Sequence, residues 1–296
     1  KIAIACNVNP ERIISAPDVQ SIYNVPFNFE RDKIGEIILE IFSLKPRSRK
    51  KWAEKWKKFA SVQKKFKKPV KIAIIGKYFD TGDFVLSDSY LSVIEAIKYS
   101  SYHLSVKPEI VWINAKELEE DSVAVKNLKN YNGIIVPGGF GETGVKGKIL
   151  AIKFARENKI PYFGLCYGMQ LGAVAYARHY LNWKDANTTE NNPKTNHPVI
   201  ALIGNQKELM EKRAYGGTMR LGGWDAIVKK GTRAYAIYQK EGFKKGRDGL
   251  TSERHRHRYE FNNKYAKDLE KAGLVISARS VAENLVEIIE LPFDKH

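Results

Sequence analysis

A single thiol set between glycines carries most of the chemistry this chain could do. Cys166 lies in Gly164-Leu165-Cys166-Tyr167-Gly168, a Gly-x-Cys-x-Gly frame. Flanking glycines let the backbone turn sharply and project the side chain from the top of a sheet. A cysteine at a helix start also meets the positive end of the helix dipole, which favours thiolate. The next backbone N–H, that of Tyr167, is placed to hold an oxyanion. These are the parts of a cysteine acyl-transfer site; the competing reading is a small buried hydrophobe between glycines. A second cluster, Pro137-Gly138-Gly139-Phe140-Gly141, lacks the Gly-Lys-Ser/Thr of a phosphate loop and the spacing of a dinucleotide fingerprint. It offers close backbone approach, with the Gly139 N–H free to turn towards a carbonyl sitting over Cys166.

Both turns need a strand before them and a helix after them, and the hydropathy pattern supplies these. Ile160-Pro161-Tyr162-Phe163 reads as the strand leading into Cys166, and Met169 to Tyr180 as the helix leading out. Upstream, Ile72 to Gly76 reads as a buried strand and Ser87 to Ser100 as a helix with Tyr90, Val93, Ile94 and Ile97 inward. Strands at 109–113 and 133–136 and a helix at 146–158 follow. Such alternation predicts an α/β fold with a doubly wound, mostly parallel sheet, helices on both faces and ligands at the strand C-terminal ends. After about residue 197 the pattern changes to shorter strands, at 199–203, 223–228, 234–238, 257–261, 275–278 and 285–290.

The net charge of +17 looks at first like a nucleic-acid signal, but its distribution argues otherwise. From Lys45 to Lys71 there are thirteen Lys or Arg and a single acid, Glu54. Within that segment Trp52, Trp56, Phe59 and Phe66 recur near helical spacing, giving an amphipathic basic helix bounded by Pro46 and Pro69. It reads as a linker helix that packs its aromatic face and leaves its lysines in water; the other reading is a surface for nucleic acid or an anionic membrane. Residues 1–44 open with a strand-like run, Ile2 to Cys6, then a proline-bearing loop and a helical pattern at 34–42. That is too little for a core, so it reads as the tail of a domain whose body lies upstream. The expected organisation is 1–44 as that remnant, 45–69 as the linker helix and 70–296 as the α/β domain. No apolar run reaches the length of about eighteen residues that a membrane span needs, and no signal segment opens the chain. With two cysteines, Cys6 and Cys166, a structural disulfide is not expected, and the cytoplasm is the expected compartment.

The pair Pro137–Gly141 and Gly164–Gln170 resembles class I glutamine amidotransferases. Further stretches resemble the CTP synthase family within them: Asp185-Ala186-Asn187-Thr188-Thr189-Glu190, Gly216 to Gly222, Glu253-Arg254-His255-Arg256-His257-Arg258-Tyr259-Glu260, and, near the start, Asn7-Val8 with Ile14 to Val19. The resemblance implies an amidoligase remnant in 1–44 and a glutaminase domain in 70–296. It implies an enzyme that makes CTP from UTP, ATP and glutamine, with Mg2+ dependence, GTP as activator, CTP as feedback ligand and a homotetrameric assembly. Neither membrane nor nucleic acid is an implied partner. Carried over residue by residue, Cys166 would be the nucleophile, and the N–H groups of Gly139 and Tyr167 would hold the oxyanion. Gly139, Tyr167, Gly168, Met169 and Gln170 would line the glutamine pocket, Glu190 would take the α-ammonium and Arg258 the α-carboxylate. The physics agrees, since a zwitterion needs one anion and one donor-rich cation. Lys1 would approach UTP or CTP, and Pro17, Asp18 and Val19 the adenine of ATP. No metal ligand is implied within the chain.

Three features depart from the family pattern. Tyr167 stands where the family has Leu, which leaves the backbone donor intact. Thr143 stands where the family has Arg, which bears on the effector response. No His-Pro-Glu element occurs, so the chain is expected to be truncated before the residues that activate the thiol. His197-Pro198 is followed by Val199, and His296 is not assigned as the base. His255 and His257, two apart on one strand face, imitate metal ligands, but arginines at 254, 256 and 258 repel a cation. The residue patterns alone also admit a stand-alone cysteine hydrolase or peptidase of this fold, or a non-catalytic basic interaction module.

Overall fold

The run Ile72–Ile75 buries both of its faces, and around it the parallel sheet is built. The computed structural model describes residues 1–46, 50–66, 68–77, 80–81, 84–85, 90–202 and 219–292. Strand Pro69–Gly76 pairs in parallel with Gly133–Val136, which pairs in parallel with Tyr162–Gly164. Lys107–Asn114 completes the four-stranded sheet on the other side of Pro69–Gly76. Alternation along the strands divides the core. Ala73, Ile75, Ile134 and Val136 pack with Ala151 and Ala155 of the helix Val145–Glu157, whereas Ile74 and Ile135 pack with Tyr90, Val93 and Ile97. Helices therefore cover both faces, as expected. The helix Leu91–His103 carries part of the second face; the expected start at Ser87 lies outside the described residues.

Beyond the helix Tyr167–Tyr180 the described residues build two further sheets. Glu260–Phe261, Pro198–Ala201 and Asn187–Thr188 form one, and Leu250–His257, Arg220–Val228, Val275–Ser280 and Val286–Glu290 form a four-stranded antiparallel one. Ala173, Val174 and Ala177 of the helix meet Ile200, Phe261, Ile276 and Val286 in a shared core.

The other compact unit comprises Lys1–Pro69 and Lys98–Lys107. The basic segment forms a helix, Lys50–Ser61. Its aromatic face is occupied: Trp56 and Phe59 meet the Tyr23 ring edge-on, and Phe59 also packs on Tyr99 and Tyr102. The Trp56 indole N–H donates to Tyr23 O at 2.9 Å, while Lys55, Lys57 and Lys58 stay exposed.

Three sequence expectations are overturned. Ile2–Cys6 is a helix, not a strand. No partner strand lies beside it among the described residues, so its polar backbone closes on itself, with Ala5 N–H donating to Lys1 O and Val8 N–H to Ala3 O. Asn7, at φ 51°, ends it in the left-handed conformation. Residues 234–238 also lie in a helix, Arg233–Glu241. The Thr232 hydroxyl caps the Tyr235 N–H, and the Glu290 carboxylate accepts from the N–H groups of Arg233 and Ala234. That carboxylate comes from a distant strand, which no local pattern reveals. The strand expected over 257–261 is broken by a bend at Arg258.

Candidate active site

Cys166 sits where the strand Tyr162–Gly164 turns into the helix Tyr167–Tyr180, with φ 52° and ψ −106°. A non-glycine residue holds such a conformation only where its surroundings impose it. Gly164 and Gly168 allow this: a Cβ on Gly164 would lie 2.5 Å from Gly168 C, and one on Gly168 would overlap the Val136 carbonyl. The Tyr162 hydroxyl donates to Gly168 O at 2.7 Å and locks the turn. The expected sharp turn between strand and helix is thus present, with Cys166 on it.

The glycine loop lies beside the thiol. A Cβ at Gly138 would sit 3.5 Å from Cys166 Cβ and 3.8 Å from Sγ, ordinary contact distances that put the loop directly beside the thiol. Gly139 lies between pinned neighbours. Tyr90 donates to Gly138 O at 3.3 Å, Lys77 donates to Phe140 O, and Gly141 N–H donates to Glu190 Oε1 at 2.8 Å. Glu190 therefore reaches the glycine loop from 49 residues away along the chain.

The electrostatics correct one expectation. Burial pushes the Cys166 thiol up to about 11, despite its place at a helix N-terminus. The Tyr167 backbone N–H donates to the sulfur and pulls the other way, but Glu260 and Glu190 add to the rise. Desolvation outweighs the dipole in this resting geometry.

Below the thiol is a charged network whose members the sequence reading did not assign. Arg220 donates through Nη1 to both Glu260 oxygens at 3.3 Å and through Nη2 to Glu287 Oε1 at 2.8 Å. Its guanidinium stacks 4.4 Å from the Trp224 ring centre, and its side chain is 4% exposed. The His255 and His257 rings join through Nδ1 and Nε2 at 2.7 Å, and His257 Nδ1 also faces Glu260 at 3.2 Å. Burial and then the Arg220 charge hold His255 down at about 4. Among the described residues no group of three or more His, Cys, Asp or Glu is placed to hold a metal ion. A cavity of about 670 Å3 is lined by Cys166, Met169, Gln170, His255, His257 and Glu260, among others.

Met169 and Gln170 line that cavity with Cys166, whereas Gly139, Tyr167, Gly168, Glu190 and Arg258 do not. The Tyr167 ring is buried, and Gly168 packs the helix onto Gly133–Val136. Gln170 Nε2 donates to Tyr259 O at 2.7 Å, tying the nucleophile helix to the bend that carries Arg258. Arg258 is half-buried in that bend, whereas Arg220 is among the buried side chains of the described residues. In the other unit, Lys1 is exposed at the start of the first helix, Pro17 and Asp18 are exposed, and Val19 is half-buried in an irregular segment. Thr143 is exposed in the turn after Gly141. His296 and Gly216–Thr218 lie outside the described residues.

Lys148, also unassigned from sequence, is 1% exposed, with its ammonium 5.3 Å from the Tyr167 ring centre. Burial, then the Lys77 charge, lowers it from 10.5 to about 8. Between those pH values the unfolded chain binds more protons than the folded one, so stability rises with pH there. Lys148→Met is expected to stabilise the fold by about 1–3 kcal/mol at neutral pH, and this advantage should shrink towards pH 10. Urea unfolding of both proteins at the two pH values measures it; a destabilised variant at neutral pH would contradict the assignment.

A family model described as Glutamine amidotransferase class-I matches residues 85–294, and one described as CTP synthase N-terminus matches residues 1–44. The chain belongs to the class-I glutamine amidotransferase family, in its CTP synthase branch. It is 46% identical to the CTP synthase of Caldanaerobacter subterraneus subsp. tengcongensis and 47% identical to that of Sulfolobus acidocaldarius, each over 98% of its length. It spans about half, 51%, of both relatives. Among solved structures it is similar to the Trypanosoma brucei CTPS glutaminase domain with bound acivicin. That match has a TM-score of 0.66 at 38% identity and covers 75% of this chain and 81% of the other.

Proposed function

We propose that this chain carries the glutamine-hydrolysing half of a CTP synthase. The observation that carries the reading is Cys166, strained at the head of a helix with the glycine loop beside it at Gly138 and Glu190 bonded to the same loop. In this reading Cys166 Sγ attacks the side-chain carboxamide carbon of glutamine. The carbonyl oxygen gathers negative charge and is met by the N–H groups of Tyr167 and Gly139. Collapse breaks the C–N bond, the thiol proton leaves with ammonia, and water hydrolyses the glutamyl thioester to glutamate. Glu190 takes the α-ammonium, and Arg258 takes the α-carboxylate. Met169 and Gln170 border the site from the cavity side.

In the whole protein the ammonia would displace phosphate from C4 of a phosphorylated uracil, at the expense of ATP, to form CTP. Lys1 would lie near the pyrimidine nucleotide, and Pro17, Asp18 and Val19 near the adenine. Mg2+ dependence, activation by GTP, feedback by CTP, a homotetramer and a cytoplasmic location complete the proposal. The described residues offer no cluster suited to Mg2+, so no step is routed through it. Glutamine, but not peptides or esters, is expected to protect Cys166 from alkylation, read by mass spectrometry. Protection by a peptide or ester alone would favour a stand-alone cysteine hydrolase, and protection by none of them would sink the glutaminase reading.

A further inference from the structure

We infer that the Tyr167 side chain is a positioning residue, clamping the glycine loop against the thiol while its own backbone serves as the oxyanion donor. The inference rests on the glutaminase reading for its catalytic meaning, but the clamp itself is a matter of geometry. The Tyr167 ring is 1% exposed and packs among Ile152, Leu171 and Ala175, so its hydroxyl is delivered to one place. There it meets Gly141 O at 3.3 Å and the Asn191 side chain, with Nδ2 at 2.7 Å and Oδ1 at 3.0 Å. A phenol has one hydrogen to give and can accept others. Asn191 Nδ2 therefore donates to it, and the hydroxyl hydrogen is shared between Gly141 O and Asn191 Oδ1.

The consequence lies in what Gly141 and Asn191 adjoin. The Gly141 N–H is held by Glu190, the residue before Asn191. One peptide unit after another of the glycine loop is thus tied down, with the hydroxyl bridging it to the segment that carries Glu190. The atom that sets this bridge belongs to the residue directly after Cys166. Thiol, oxyanion donor, glycine loop and ammonium-binding carboxylate are thereby fixed relative to one another through a single side chain. Burial and the neighbouring Glu190 charge raise the phenol well above its usual range, with the Asn191 bond opposing the rise. The hydroxyl stays protonated and able to donate across the working pH range.

Tyr167→Phe keeps the ring and removes the bridge. Two readouts separate the clamp from the function. Hydrogen exchange of the Gly138–Gly141 amides should quicken about three- to tenfold, the scale of one lost buried hydrogen bond, with the helix after Cys166 unchanged. Unaltered exchange in the loop would overturn the clamp whether or not the protein binds glutamine. Half-protection of Cys166 should require about three- to tenfold more glutamine in the variant, each protein being compared with its own unprotected rate. Equal protection in the two proteins would overturn the positioning role. A wild-type protein that glutamine does not protect counts against the proposed function, and the exchange experiment then still decides the clamp.

Discussion

Alkylation of Cys166 by iodoacetamide is expected to accelerate about tenfold for each pH unit between about 7 and 10. The reason is the thiol, which burial holds up at about 11. In that window the thiolate fraction, and with it the rate, rises in proportion to hydroxide. The shift has a sign for stability too. Over its upper range the unfolded chain loses this proton before the folded one does, so the folded state loses stability as pH rises from the ordinary thiol value of 9.0 towards 11. Cys6 is exposed, so the rate is read on the peptide containing Cys166. A profile that levels off by about pH 8 would mean that the helix N-terminus and the Tyr167 N–H have overcome burial.

The second large effect concerns Arg220. Replacing it with Met should cost about 3–5 kcal/mol, because Glu260 and Glu287 would be left buried without their shared cation. Burial already raises Glu287, with the Arg220 bond opposing it. Without that bond Glu287 favours the protonated form more strongly, so the loss should be greater at pH 8 than at pH 5. Adding Glu287→Gln to Arg220→Met should recover part of the loss, since one of the two uncompensated charges is gone. Urea unfolding of the single and double variants tests this, and a single-variant loss below about 1 kcal/mol would show that water reaches the network.

Legibility from sequence followed the range of each interaction. The elbow was readable because its causes are local: two glycines, an apolar run before the thiol and a helical pattern after it. The parallel sheet was readable because Ile72–Ile75 and Gly133–Val136 are buried on both faces and say so in their composition. The thiol's ionisation was misread because the dipole is a local feature and burial is not. Ile2–Cys6 reads as a strand from its isoleucines, yet a strand needs a partner. The helix Arg233–Glu241 depends on a carboxylate 57 residues from Arg233. Arg220 meets Glu260 and Glu287 across 40 and 67 residues, and neither spacing carries a periodic signal. The motifs holding Arg220 and Glu260 stand out in the sequence, but their pairing does not. The Tyr167 clamp was hidden for a related reason: its backbone role could be read from position, while its hydroxyl's partners come from two loops.

The most direct test of a glutamine-specific thiol at Cys166 is intact-mass trapping with a glutamine-mimicking diazoketone. The protein should gain one adduct, excess glutamine should block it, and Cys166→Ala should abolish it. An adduct that glutamine does not slow, or one that persists in Cys166→Ala, would contradict the assignment of this elbow as the glutaminase site.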